Sequence, residues 1–206
     1  MKSLINFPYH CGEPGLVRRA LLLGGLSLAA AAACRREPEL PKLGTIEQFA
    51  LSDQDGRPFG TSELRGKVWV ASFFFTRCPT ICPRLIAAMR ELQKRALAEK
   101  VELELVSFSV DPDNDTPPVL KAYARKQDAD LASWSFLTGD SKVIETTAVR
   151  GFKLALESHP DAGAEHFGIL HGSHLALVDR ALTIRGYYRS TEPDERSHLL
   201  DDARRL

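Results

Sequence analysis

From Val68 to Phe75 the chain is uncharged, β-branched and aromatic, with Gly66 before the run and Pro79 and Pro83 after it. A continuous apolar run of this length predicts a central strand covered on both faces. It stops at Thr76-Arg77-Cys78-Pro79-Thr80-Ile81-Cys82-Pro83. From Pro83 to about Glu99, Leu85, Met89, Leu92 and Ala96 recur at helical spacing, and Pro83 suits a first turn, where its missing N–H costs nothing. Both cysteines are therefore expected in the loop between strand and helix. Residues Val101 to Val110 alternate and then turn apolar, which predicts a second strand entering the core. A strand, helix and strand in this order form a right-handed parallel unit.

The same reading extends in both directions. Upstream, Phe49-Ala50-Leu51 and Pro58-Phe59-Gly60 flank Asp55-Gly56, a hairpin signal. Downstream, Asp111-Pro112-Asp113-Asn114-Asp115-Thr116-Pro117 ends the second strand, and Val119, Leu120, Tyr123 and Ala124 open a helix. Three close aspartates suggest a hard-cation loop, but the glycine and the distant glutamate of a calcium loop are missing. Capping of the next helix by Asp115 or Thr116 is the expectation. Trp134 to Leu137 reads as a strand, Ser141 to Val149 as a helix stopping at Gly151, and Phe152 to Leu156 as a further alternating stretch. Ser158 to Gly168 reads as an irregular loop. Leu175–Val178 and Thr183–Tyr188 make a final hairpin, and residues 192–206 a polar terminal helix. No internal repeat is visible.

The N-terminus follows a different pattern. Arg18-Arg19 precede an apolar run from Ala20 to Ala33, then Cys34-Arg35-Arg36. A basic segment, a short apolar core and small residues before a cut make a secretory signal, expected over residues 1–33. The run falls short of the roughly 20 residues that span a bilayer. Ala31-Ala32-Ala33-Cys34 is compatible with lipoprotein processing, with Cys34 as the acylated residue, and Arg18-Arg19 with twin-arginine export. Residues 34–45, with Pro38, Pro41 and several charges, read as a tether, leaving 46–206 as one folded domain. Lys plus Arg and Asp plus Glu are 27 each, so no global field draws the protein to nucleic acid.

Of the four cysteines, Cys11 and Cys34 fall in the N-terminal appendage, so Cys78 and Cys82 are alone in the folded part. Strand, cysteine loop and helix form the thioredoxin-like arrangement of a thiol pair. A helix N-terminus beside it favours thiolate over thiol and is expected to make both sulfurs better nucleophiles and better ligands for soft metals. A thioredoxin-like chain sets a cis-proline opposite its cysteines, yet this chain has no proline between Pro160 and Pro193. It has His171 and His174 there instead, just before a strand. Two thiolates and an imidazole suit copper(I), whereas a structural zinc site wants a fourth ligand.

At this point the chain resembles the Sco/SenC copper chaperones of cytochrome c oxidase assembly. The resemblance rests on Phe75-Thr76-Arg77-Cys78-Pro79-Thr80-Ile81-Cys82-Pro83, on Ser109-Val110-Asp111-Pro112-Asp113-Asn114-Asp115-Thr116-Pro117, on Trp134-Ser135-Phe136-Leu137-Thr138-Gly139, and on a histidine followed by a Leu-Val-Asp strand. It implies an α/β thioredoxin-like fold: a central, mostly parallel or mixed sheet flanked by helices, with an N-terminal hairpin. It also implies Cys78, Cys82 and His171 as ligands of Cu(I) or Cu(II), His171 standing eight residues before Asp179. The sequence departs from the family in placing Gly172 directly after His171, which keeps His174 in view, and in lacking a turn glycine across Asp179-Arg180-Ala181-Leu182.

The implied function is a chaperone, not an enzyme, delivering copper to the dinuclear copper site of the oxidase, for which the sulfurs must be accessible. Its partners would be the copper-site subunit, another periplasmic copper chaperone and, through an N-terminal lipid or signal anchor, the periplasmic face of the inner membrane. The alternative is a thiol:disulfide oxidoreductase, with Cys78 and Cys82 as redox pair, that reduces the oxidase cysteines. A peroxiredoxin-type peroxidase would want proline and threonine where Ala71 and Phe75 stand.

Overall fold

The computed structural model describes residues 38–154 and 173–206. The signal segment, Cys34, the alternation beyond Leu154, the loop over residues 158–168 and His171 lie outside the described residues.

In chain order the elements are β1 (Gly44–Thr45), β2 (Ala50–Ser52), β3 (Pro58–Gly60), β4 (Trp69–Phe74), α1 (Ile81–Ala98), β5 (Glu104–Ser109) and α2 (Pro117–Lys126). There follow β6 (Trp134–Leu137), α3 (Ser141–Thr146), β7 (His174–Val178), β8 (Thr183–Arg189) and α4 (Pro193–Ala203). Six strands form one sheet in the order β1-β8-β7-β4-β5-β6, and β2 pairs with β3 in a separate hairpin. The β4, β5 and β6 strands run parallel, while β7, β8 and β1 add antiparallel neighbours, so the sheet is mixed.

Every residue of β4 is buried, as expected for a strand with a neighbour on each edge and a layer on each face. Alternation then assigns its side chains. Val70 and Phe74 enter the layer formed by α1, α2 and α4, with Leu85, Met89, Leu92, Leu120, Leu199 and Leu200. Trp69, Ala71 and Phe73 enter the opposite layer, with Phe49, Leu51, Ile144 and Phe152. There Phe73 stacks on Phe108 at 5.0 Å and meets Phe152 edge-on at 5.2 Å.

The expected elements are present with several differences. The β2–β3 hairpin turns at Gly56, whose φ of 75° is one that glycine adopts without strain, and Asp53 Oδ1 accepts the N–H groups of Asp55 and Arg57. After α3 the chain does not remain α-helical: Thr147–Gly151 widens into a π-helical turn. Phe152 to Leu154 is not a strand; Phe152 is buried and packs as a core residue. The terminal helix is not polar all round, since Leu199 and Leu200 are fully buried.

Part of the expected tether is docked. Gly44–Thr45 pairs with β8, and Arg185 grips the chain before it, donating to the carbonyls of Leu40 at 2.5 Å and Pro41 at 2.9 Å. The folded unit begins at Pro38. A charged guanidinium has five donors to place, and these carbonyls lie within its reach; sequence composition carries no sign of such a contact.

Candidate functional site

The central strand ends at Phe74, and α1 starts at Ile81. Cys78 lies in the connecting loop. Cys82, expected in the same loop, stands inside the first turn of the helix. This placement aims the backbone N–H of Cys82 at Cys78 Sγ, 3.4 Å away. The first N–H groups of a helix have no partner within it, and here one of them is spent on a sulfur. Both thiols are free, and both are buried.

Their electrostatics differ. Burial pushes the Cys78 thiol up, but the backbone N–H groups of Cys82 and Thr80, the Cys82 thiol and the Ile81 N–H together outweigh it and hold the group below its ordinary value. Cys82 is pushed up to about 12, first by burial and then by the neighbouring Cys78 and Asp115, against one backbone hydrogen bond from Phe75. The expectation that the helix N-terminus activates both sulfurs is thus corrected: it activates Cys78, and burial overrides it at Cys82. Tyr123 of α2 is next to the pair; burial first, then Cys82, Cys78 and Asp115, raise its hydroxyl to about 12.

The aspartate-rich segment neither caps α2 nor forms a cation loop. Thr116 stands at the N-cap position without a side-chain cap bond. Asp115 is fully buried and points the other way, into the cysteine loop. Its carboxylate accepts the Thr76 N–H at 3.0 Å, the Thr76 hydroxyl at 2.5 Å and the Ser109 hydroxyl at 2.6 Å. Beside it, Asp111 accepts from the Arg77 guanidinium at 2.8 Å and the Asn114 amide at 2.7 Å. Two aspartates of the β5–α2 connection thus fasten both residues that precede Cys78. A run of Asp with Pro and Thr is an ordinary helix-start signal, which masked this role.

β7 runs antiparallel to β4 with Ala71 opposite Ala176, so its first residues lie toward the end of β4 that carries the cysteine loop. His174 is exposed. Leu175 and Leu177 enter the layer that holds the cysteines, Ala176 and Val178 the other, and by that alternation His174 belongs with the second pair. Among the described residues no group of three or more His, Cys, Asp or Glu side chains converges as a metal site, and His171 is not among them.

A buried dithiol at the end of a central strand, with one sulfur accepting a backbone N–H of a helix's first turn, defines a thioredoxin-like thiol site. Comparison with known proteins makes the assignment specific. The SCO1/SenC family model matches residues 38–205. A SCO1 protein homolog of Bacillus subtilis (strain 168) is 36% identical over 160 residues, 77% of this chain and 81% of the relative. A protein of Stutzerimonas stutzeri named as copper-binding is 34% identical, over 73% of this chain and 72% of its own. Among solved structures, a SCO1/SenC family lipoprotein from Bacillus anthracis str. Ames superposes with TM-score 0.71 at 36% identity, covering 79% of this chain and 95% of that one. BsSco, a member of the Sco family of cytochrome c oxidase assembly proteins with a disulfide switch, gives TM-score 0.69 at 34% identity, covering 82% and 99%. The chain belongs to the SCO1/SenC family, and its thioredoxin-like α/β fold is that of the family.

Proposed function

We propose that this protein binds copper through Cys78, Cys82 and His171 and delivers it to the dinuclear copper site of cytochrome c oxidase. The observation that carries the reading is the joining of two free thiols, 3.4 Å from sulfur to backbone, at the sheet end from which the chain enters β7. Two sulfurs and an imidazole form a soft donor set suited to copper. The copper-binding relative and the oxidase assembly family of BsSco support the same reading. The exposure of His174 and its place on the other face favour His171 as third ligand. Because both sulfurs are buried, copper release requires the loop or its cover to move, so the chain hands over its cargo on contact with a partner.

The N-terminal segment serves export and attachment: residues 1–33 as signal, Cys34 as acylated residue, with the working domain on the outer face of the inner membrane. The lipoprotein relative supports this. Copper titration of the full chain in detergent tests the metal reading. One copper per chain is expected, with severe loss in Cys78→Ser, Cys82→Ser and His171→Ala. Wild-type binding by His171→Ala together with loss in His174→Ala would reassign the histidine.

The unequal thiols favour a second activity. Cys78, the better thiolate, would attack the disulfide of an oxidase subunit, and Cys82 would then displace the reduced thiol from the mixed disulfide; the chain's own dithiol is oxidised in the process. His171→Ala should keep this exchange within about tenfold while failing to assemble the oxidase at low copper. Normal assembly by that variant in limiting copper would make the reductase activity the principal one.

A further inference from the structure

Arg196, near the start of α4, is a buried cation with an incomplete set of hydrogen bonds. It is 9% exposed, donates from Nη1 to the Ser190 carbonyl at 2.6 Å, and donates from Nη2 to Glu91 Oε2 at 2.8 Å. Its Nε and the buried Ser190 hydroxyl have no partner among the described residues. A buried guanidinium with idle donors is a poor source of stability, because its lost hydration is only partly replaced. Nor is it required to hold α4 in place. Leu199 and Leu200 are buried in the core, and Arg95 of α1 reaches Ser197 at 3.0 Å.

What Arg196 holds is the backbone at the end of β8. Ser190, fixed through its carbonyl, donates its own N–H to the carbonyl of Ser173 at 2.5 Å. Ser173 is the residue through which the chain passes into β7, two positions after His171. At the other end of the series, Glu91 belongs to α1, the helix whose first turn carries Cys82. Glu91, Arg196, Ser190 and Ser173 therefore connect the cysteine helix to the start of the strand that follows the histidine. We propose that Arg196 is a positioning residue for the copper site, fixing the Ser173 backbone relative to α1 and thereby the point from which the His171 segment departs. This rests on the copper reading above. Groups outside the ligand set act on metal affinity through the ligands they orient.

The test uses the full chain with Arg196→Met and Arg196→Lys. Arg196→Met is expected to keep the urea midpoint of wild type, to bind Cu(II) about ten- to a hundredfold more weakly, and to shift the thiolate-to-copper absorption bands. Arg196→Lys, whose ammonium can reach the same carbonyl, recovers most of the affinity. Wild-type affinity and spectrum in Arg196→Met would overturn the proposal, as would equal losses in both variants. A copper-free readout separates it from the reading on which it rests. In the metal-free protein the Ser190 amide, spent on Ser173, should exchange at least about tenfold faster in Arg196→Met, with the amides of β5 unchanged. Unchanged exchange at Ser190 overturns the positioning role whatever copper does, whereas a wild-type chain that takes up no copper overturns the metal reading alone.

Discussion

Two turns of this protein are organised by a buried aspartate, and they use it in opposite ways. At the β7–β8 turn Asp179 accepts the N–H groups of Ala181 at 2.9 Å and Thr183 at 2.8 Å, and its second oxygen meets Arg185 at 2.8 Å. At the cysteine loop Asp115 accepts an N–H and two hydroxyls, with no cation among its hydrogen-bond donors. The first arrangement neutralises its charge on the spot and ties the turn, the sheet edge and the chain before β1 into one rigid corner. The second leaves the carboxylate without a cation partner and contributes to the raised pKa of Cys82. A paired carboxylate serves stability; a hydroxyl-solvated one serves a site.

The largest effect expected from breaking this comparison is at the stable corner. Asp179→Ala leaves Arg185, 7% exposed at its side chain, without its buried partner and should cost about 3–5 kcal/mol in urea unfolding. Asp115→Ala strips an acceptor from neutral donors and should cost only about 1–3 kcal/mol, while altering the reactivity of Cys78. Equal costs for the two would erase the distinction. The acid dependence gives a second measurement on the same corner. Burial raises the Asp179 pKa, but the Thr183 N–H, Arg185 and the Ala181 N–H outweigh it and hold the carboxyl below its ordinary value. A depressed carboxyl contributes stability above its unfolded pKa of about 3.9, lost as pH falls through the folded value. The destabilisation by Asp179→Asn should therefore be full at neutral pH and shrink in acid; a cost independent of pH would show that the charge is not what stabilises the corner.

Next in size is the inequality of the thiols. With Cys82 near 12 and Cys78 below 9.0, the gain in thiolate fraction, reduced by weaker intrinsic nucleophilicity, predicts alkylation of Cys78 about thirtyfold or more faster than Cys82 at neutral pH. Peptide mass spectrometry after a timed iodoacetamide pulse reads the ratio. Comparable rates would mean that the backbone N–H groups do not activate Cys78.

The smallest effect concerns the missing turn glycine. Leu182 takes its place with φ 64°, a left-handed conformation costly for a branched side chain, while its body stays buried at 3% exposure. Glycine is normally worse than alanine in folded structure. Here the order should invert, with Leu182→Gly more stable than Leu182→Ala by about 1 kcal/mol. The usual order would show that the turn relaxes around the alanine.

The sequence by itself determined the main elements of the described fold and the two sulfurs. The run from Val68 to Phe75, the helical spacing of Leu85, Met89 and Leu92, and the alternation before Asp111 report local burial, which period and side-chain type encode directly. The pair Cys78 and Cys82 was legible because its two members are neighbours in the chain. Tertiary structure alone decided what those sulfurs are like. That Asp115 turns away from its own helix to hold Thr76, that Arg185 catches residues 40 and 41, and that Ser190 reaches Ser173 are contacts between segments far apart in sequence. A carboxylate or guanidinium looks the same in composition whether it caps the next helix or braces a distant loop. Burial and the nearest donor choose between those roles, and both are set only when the sheet is assembled.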